Sequence, residues 1–220
     1  MHSVRVGLFL IVISSISLVE TSSGQGAAPK DHPTSSEALA AWQQVYSVLT
    51  YPRCLNCHTA TNYPQQGDDR HRHQFNVVRG QEGRGVPGLT CATCHQGATS
   101  KATGGANCAQ CHQGADLNAT GVPGGHGWRL APLSMTWQDS NNKPLSPAQV
   151  CRAVTDRTRN MNMGGPELLK HHEEAELVLY AWTPGRRPDG SQRTPPPLTH
   201  DQFVAVTRIW VEAGMPCPQQ

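Results

Sequence analysis

Residues 91–112 read CATCHQGATSKATGGANCAQCH, and the rest of the chain is organised around this stretch. A pattern of two cysteines separated by two residues and followed directly by histidine begins at Cys91 and again at Cys108. An earlier copy runs from Cys54 to His58. Each copy places an imidazole immediately after the second of two closely spaced thiols. The chain therefore carries one short motif three times.

This motif is the attachment sequence for a c-type haem. Two thiols reach two vinyl groups on one porphyrin edge, and the next residue brings an imidazole nitrogen to the iron. A structural zinc site or a redox dithiol is the alternative for a bare pair of cysteines. Histidine is only 11 of 220 residues, so its presence after all three pairs favours haem. We expect three haem c groups, each with one iron, at these attachment cysteines and proximal histidines: Cys54, Cys57 and His58; Cys91, Cys94 and His95; Cys108, Cys111 and His112.

Residues 1–24 have the pattern of a secretory signal peptide. Arg5 precedes an apolar run from Val6 to Val19, and small residues follow that run. The run is short for a membrane span, although an uncleaved anchor remains an alternative. We expect export to the periplasm and a mature chain, residues 25–220, that has no membrane span and forms one trihaem domain.

The composition predicts a chain with much loop. Glycine and proline contribute 21 and 17 residues, above average usage, and cluster between the motifs. A net charge of +2 is too weak to indicate a nucleic-acid partner. No alternating strand pattern is present. We therefore expect an all-α, loop-rich fold, with helices and long loops packed around three covalent haems.

Four segments carry helix signals, namely N-capping residues and apolar residues at helical spacing. The first is expected to bury Leu39, Trp42, Tyr46 and Leu49 and to end before Pro52. The third is expected to run without a break towards Trp182, and the last to end at Gly214. The four segments begin near Thr34, Ser146, Pro166 and Thr199.

Two of the eight cysteines lie outside the motifs. These are Cys151, in the second predicted helix, and Cys217, just after the last one. In an oxidising compartment the natural prediction is one disulfide between them, with two unpaired thiols as the alternative.

The sixth ligand of each iron decides whether the protein transfers electrons or binds small molecules at an open site. His73 lies where the chain can return over a haem, His126 lies among glycines beside a tryptophan, and His171 lies on an apolar helix face. We predict these three histidines as distal ligands. Met135, His172 and His200 are the reserve candidates.

Several segments together resemble a group of bacterial exported multihaem cytochromes. Its members are labelled as a subunit of an isoquinoline 1-oxidoreductase because they accompany molybdenum hydroxylases. The resemblance implies recurring histidines at His73, His126, His171 and His200, whereas the third haem motif is an addition to the pattern of the group. The resemblance is carried by residues 51–58, 79–80, 83–88, 91–96, 130–132, Met135, Trp137 and 203–218.

These observations predict electron transfer from a dehydrogenase, such as a molybdenum hydroxylase, to a respiratory acceptor. We expect an electron carrier with redox-protein partners rather than an enzyme, because no catalytic acid–base group stands out. Two alternatives remain open. One is a haem enzyme, a reductase or peroxidase with one five-coordinate haem, and the other is a structural or sensor subunit of a larger complex.

Overall fold

The computed structural model describes Met1, residues 32–95, 127–185, 187 and 189–219. Residues 32–220 cluster as one compact unit. The third haem motif and His126 lie outside the described residues, as does the predicted signal peptide apart from Met1. The boundary predicted between residues 24 and 25 therefore stays a prediction.

The described helices fall into four longer ones and three single turns. All four longer helices begin where the capping signals predict, and Thr34, Ser146 and Thr199 each accept a hydrogen bond from the backbone N–H three residues on. In chain order the helices are α1 (Ser35–Leu49), α2 (Pro52–Leu55), α3 (Cys91–Cys94), α4 (Pro147–Thr155), α5 (Gly165–Glu174), α6 (Glu176–Leu179) and α7 (His200–Glu212).

The core forms where α1 packs against α7. Trp42 of α1 and Trp210 of α7 are fully buried, with ring centroids 4.7 Å apart. The buried face of α1 differs from the expectation, because Leu39 and Tyr46 are only partly buried while neighbouring alanines and valines lie inside. The Tyr46 hydroxyl donates to the Leu145 carbonyl at 2.7 Å, and this bond holds the ring at the edge of the core.

The third predicted helix is interrupted. Ala175 adopts an extended backbone (φ −69°, ψ 123°) between α5 and α6, and a single 3₁₀ turn, Tyr180–Trp182, follows α6. The expectation of an unbroken helix towards Trp182 was therefore wrong. Because neither proline nor glycine stands at the break, the apolar periodicity gave no signal of it.

The all-α expectation also requires a correction. Two small antiparallel hairpins lie in the loop between the first two haem motifs. Strands of two residues are too short to show alternation, so no sequence pattern could have predicted them. The strands are β1 (Gln65–Gln66), which pairs with β2 (His71–Arg72), and β3 (Gly85–Val86), which pairs with β4 (Leu89–Thr90).

The predicted disulfide is present. Cys151 of α4 is bonded to Cys217 after α7, with Cα atoms 5.6 Å apart and a separation of 66 positions in sequence. It ties the C-terminal segment to a fully buried position in α4. No helix among the described residues has the length and apolarity needed to cross a membrane.

Candidate haem-binding site

The first two motifs have the same local structure. α2 carries Cys54 and ends at Leu55, with Cys57 in the turn that follows, whereas α3 carries both Cys91 and Cys94. The amide of His58 donates to the Cys54 carbonyl at 2.9 Å, and the amide of His95 donates to the Cys91 carbonyl at 2.9 Å. The turn thus presents both cysteines and the following histidine from one short piece of backbone.

Each of these two motifs opens into a cleft. The His58 cavity is lined by Cys54, Cys57 and His58 together with largely apolar side chains of the core. The His95 cavity is lined by Cys91, Cys94, His95 and also Cys57. Mostly apolar clefts with a few convergent polar groups are the usual form of a cofactor site.

His58 is held in one orientation and one tautomer. Its Nδ1 lies 2.7 Å from the Met135 carbonyl oxygen, which can only accept, so Nδ1 carries the proton and Nε2 keeps its lone pair. The imidazole stacks on Trp137 with ring centroids 3.5 Å apart and planes 7° from parallel. Burial lowers the pKa of His58 to about 4, so the ring is neutral at physiological pH and suited to bind a metal.

The thiols of the first motif are protonated. Burial raises the pKa of Cys54 to about 12 and that of Cys57 to about 11, although both side chains are partly accessible through the cavity. The pKa of Cys91 is raised for the same reason. Cys94 is disulfide-bonded in the structure, and that bond must be reduced before Cys94 can form a thioether.

Two histidines of α5 also line the His58 cavity, namely His171 and His172. Their ring centroids are 5.5 Å apart, and burial lowers the pKa of both. The His172 ring packs edge-on against Phe203 at 5.1 Å, and its buried Nδ1 has no hydrogen-bond partner in the described part of the chain. His171 is less enclosed.

In the second cavity His73 faces His95, and their ring centroids are 6.0 Å apart. Imidazoles on opposite sides of one metal ion have centroids about 6 Å apart, because each metal–nitrogen bond is about 2 Å and each nitrogen lies about 1 Å from its ring centroid. The Nδ1 of His73 donates to the Gln74 carbonyl at 2.8 Å, which leaves Nε2 available. Burial lowers the pKa of His73.

His95 stacks on a tryptophan as His58 does. The ring centroids of His95 and Trp128 are 4.0 Å apart and the planes 22° from parallel. Trp128 in turn meets Tyr180 edge-on at 5.0 Å. The indole Nε1 atoms of Trp128 and Trp137 are both buried without a hydrogen-bond partner among the described residues. A buried N–H without an acceptor costs about 1–3 kcal/mol, so both indoles fit a site that a bound group with acceptor atoms completes.

Residues 128–137 support both motifs. The amides of Leu130, Ala131 and Trp137 donate to the carbonyls of Gly83, Cys57 and His58, at 2.8, 3.3 and 3.1 Å. A Cβ at Gly83 would lie 2.6 Å from the Leu130 carbonyl oxygen, so only glycine permits this close approach. The buried Arg79 guanidinium adds hydrogen bonds to the Ala131 and Thr59 carbonyls.

Sequence reasoning missed these supports. In the sequence, Arg79 and Trp137 stand out only as part of the resemblance, and Trp128 stands out only as a neighbour of His126. A tryptophan directly after Gly127 in a polar loop was the available signal for Trp128, because an aromatic residue in such a loop needs a surface to pack on.

Two of the reserve candidates for a distal ligand, Met135 and His200, form hydrogen bonds to histidines of the site. The Met135 carbonyl bonds His58, so the Met135 backbone lies on the His58 side of the cavity. His200 Nε2 lies 2.9 Å from the His172 carbonyl, and His200 is not among the residues that line either cavity. Nowhere in residues 32–95, 127–185 and 189–219 do three or more His, Cys, Asp or Glu side chains group to hold a bare metal ion.

Residues 41–113 match the family model of cytochrome c7 and related cytochromes c. The matched range is about a third of the chain and contains all three motifs. The match supports a multihaem c-type cytochrome that transfers electrons through covalently bound haem iron. It gives no support to the isoquinoline oxidoreductase label. Neither a curated protein nor a solved structure matches the chain.

Proposed function

We propose that the chain is an exported periplasmic cytochrome that relays electrons through three haem c groups, with two axial ligands on each iron. The observation that carries this proposal is the 6.0 Å separation of the His73 and His95 rings across a cleft that also holds Cys91 and Cys94. When bound, haem iron supplies one-electron chemistry, and a second axial histidine leaves it no position for substrate.

In the His95 cavity, Cys91 and Cys94 would attach the haem, His95 would be the proximal ligand and His73 the distal one. Burial lowers the pKa of His73 and so favours its neutral form, and the His95 ring is held by stacking on Trp128. The role of this chain is to fix the two rings and to exclude water with Trp128 and Tyr180.

In the His58 cavity, Cys54 and Cys57 would attach the haem and His58 would be the proximal ligand. Both histidines line the cavity, and we assign the distal position to His171, because it is less enclosed while the His172 ring packs against Phe203. The buried, unpartnered Nδ1 of His172 favours that residue as the alternative.

For the third motif we keep Cys108 and Cys111 as attachment residues and His112 as the proximal ligand, and His126 is the remaining distal candidate. These residues lie outside the described ranges, so the proposal rests on the motif for the first three and on the surrounding sequence for His126. A dehydrogenase such as a molybdenum hydroxylase is the proposed electron donor, on the resemblance alone, and a respiratory protein is the proposed acceptor.

The experiment is optical and EPR spectroscopy of the purified, haem-loaded protein with and without carbon monoxide. The proposal expects only low-spin ferric signals and no carbon monoxide binding to the reduced protein as isolated. A stable high-spin haem that binds carbon monoxide would contradict it and would favour the haem-enzyme alternative. In that case, turnover should be sought with peroxide and nitrogen oxides.

A further inference from the structure

The two described cavities share a wall. Five of the described residues line both cavities. They come from the first motif and the residue before it, and from the start of the segment 128–137. They are Arg53, Cys57, Trp128, Arg129 and Leu130. Haems held in these cavities would therefore be separated by a layer of very few side chains.

Trp128 is the aromatic residue of this wall. One face of its indole stacks on the His95 imidazole with centroids 4.0 Å apart, and the residue also lines the cavity of His58. Tyr180 meets the indole edge-on at 5.0 Å and fixes the ring further. Trp137 offers a direct comparison, because it stacks on His58 at 3.5 Å but lines the His58 cavity alone.

We propose that Trp128 is a positioning residue shared by two haem sites: it orients the His95 imidazole and at the same time closes the His58 cavity. The inference rests on the proposed function, since it assumes haem in both cavities. It adds that the electronic environments of these two haems depend on one side chain. Trp137 has no such double role and acts on the His58 haem only.

The shared role has a directional consequence. Replacing the indole with a small aliphatic side chain opens the wall and admits water to both cavities. A more polar surrounding favours the more highly charged ferric state, so both reduction potentials fall. The same truncation at Trp137 admits water to the His58 cavity and lowers one potential.

The experiment compares the haem-loaded variants Trp128→Leu and Trp137→Leu by spectroelectrochemical titration and EPR. Each EPR signal is assigned to a cavity with a variant that removes a distal ligand. His73→Ala marks the haem of the His95 cavity, and either His171→Ala or His172→Ala, whichever removes the distal ligand there, marks the haem of the His58 cavity. We expect Trp128→Leu to lower two potentials and shift two sets of g values, and Trp137→Leu to change one. A Trp128→Leu protein in which only the His95 haem changes, or neither does, overturns the inference.

Trp128→Phe keeps an aromatic ring on His95 and serves if the leucine variant does not mature. Its smaller ring is expected to shift both sets of signals less than leucine does, and a shift confined to one haem would contradict the shared role. The haem count by mass spectrometry and the low-spin spectrum of the wild-type protein are recorded first. If those fail, the proposed function fails, whereas intact haems with independent responses remove only the role of Trp128.

Discussion

The Met135 carbonyl accepts a hydrogen bond from Nδ1 of His58 at 2.7 Å. A backbone carbonyl cannot donate, so this contact decides which ring nitrogen carries the proton and aims Nε2 into the His58 cavity. The amide of Trp137, two residues further on, donates to the His58 carbonyl at 3.1 Å, and the Trp137 ring stacks on the imidazole. One short segment thus fixes both the backbone and the side chain of His58, the proposed proximal histidine.

Stability should depend on pH between about pH 6.5 and pH 4. Burial lowers the pKa of His58 from 6.5 to about 4 and that of His172 to about 3. Below pH 6.5 these histidines therefore bind protons in the unfolded chain but not in the folded chain. We therefore expect the free energy of unfolding to be constant above pH 7 and to fall as the pH drops below 6.5. Urea titrations across this range provide the measurement.

The lowered carboxyl groups affect only the acid end of that window. The pKa of Glu37 is shifted downward from 4.5, and the pKa values of Asp69, Asp156 and Asp189 are shifted downward from 3.8, so their contribution to stability is lost as the pH falls below these values. A matched control is His71→Ala, which removes a half-exposed histidine and should alter the profile only at low pH, through the carboxylate of Asp69 that His71 bonds. A urea midpoint that stays constant from about pH 7 to pH 4.5 would show that these histidines are not held neutral.

The variant His73→Ala should convert one haem to a five-coordinate, high-spin form. Removing the imidazole that faces His95 at 6.0 Å leaves that iron one ligand short. EPR should show one new high-spin signal, and the reduced variant should bind one carbon monoxide. His71→Ala is the control, because His71 lies two residues away and bonds Asp69 at 2.6 Å. An unchanged low-spin spectrum in His73→Ala would exclude His73 as a ligand.

The variants His171→Ala and His172→Ala should separate ligation from packing. We expect His171→Ala to produce a high-spin haem and His172→Ala to keep three low-spin haems but to unfold at lower urea, because His172 is buried against Phe203. The opposite pattern would move the ligand role to His172. The control Met135→Leu retains the backbone acceptor of His58, and a high-spin signal there would instead assign the ligand to the Met135 sulfur.

Replacing both Cys151 and Cys217 with alanine should lower the free energy of unfolding by about 4 kcal/mol, because the bond closes a long loop in the unfolded chain. The two residues are 66 positions apart, and Cys151 is fully buried. Denaturant titration of the haem-loaded protein measures the change. Haem attachment should be unaffected, and a loss of haem in this variant would mean that these cysteines take part in binding it.

The helices could be predicted from sequence because their signals are local. Thr34, Ser146 and Thr199 each cap a helix through contacts within four residues, and those contacts recur in the structure. The break at Ala175 and the two hairpins were missed, since neither depends on a breaker residue or on an alternating pattern. The disulfide followed from counting cysteines.

The site was predictable only in part. The motifs predict attachment cysteines and proximal histidines because covalent haem requires a fixed spacing, and these roles stay predictions. Which histidine lies opposite the motif in each cavity depends on the path of the loops. The approach of His73 to His95 is set by the hairpins of residues 65–90, and their two-residue strands show no alternating pattern in the sequence. The stacking of Trp128 and Trp137 likewise arises from the path of residues 128–137 over both motifs.

Mass spectrometry of the mature, denatured protein tests the central claim most directly. Thioether bonds survive denaturation, so covalent haem adds to the mass of the processed polypeptide, whereas zinc or a simple dithiol does not. The account predicts a mass that exceeds the polypeptide by three haems, one for each motif beginning at Cys54, Cys91 and Cys108. A mass with fewer than three haems would contradict the proposal of three haem c groups, and a mass with none would contradict the cytochrome assignment altogether.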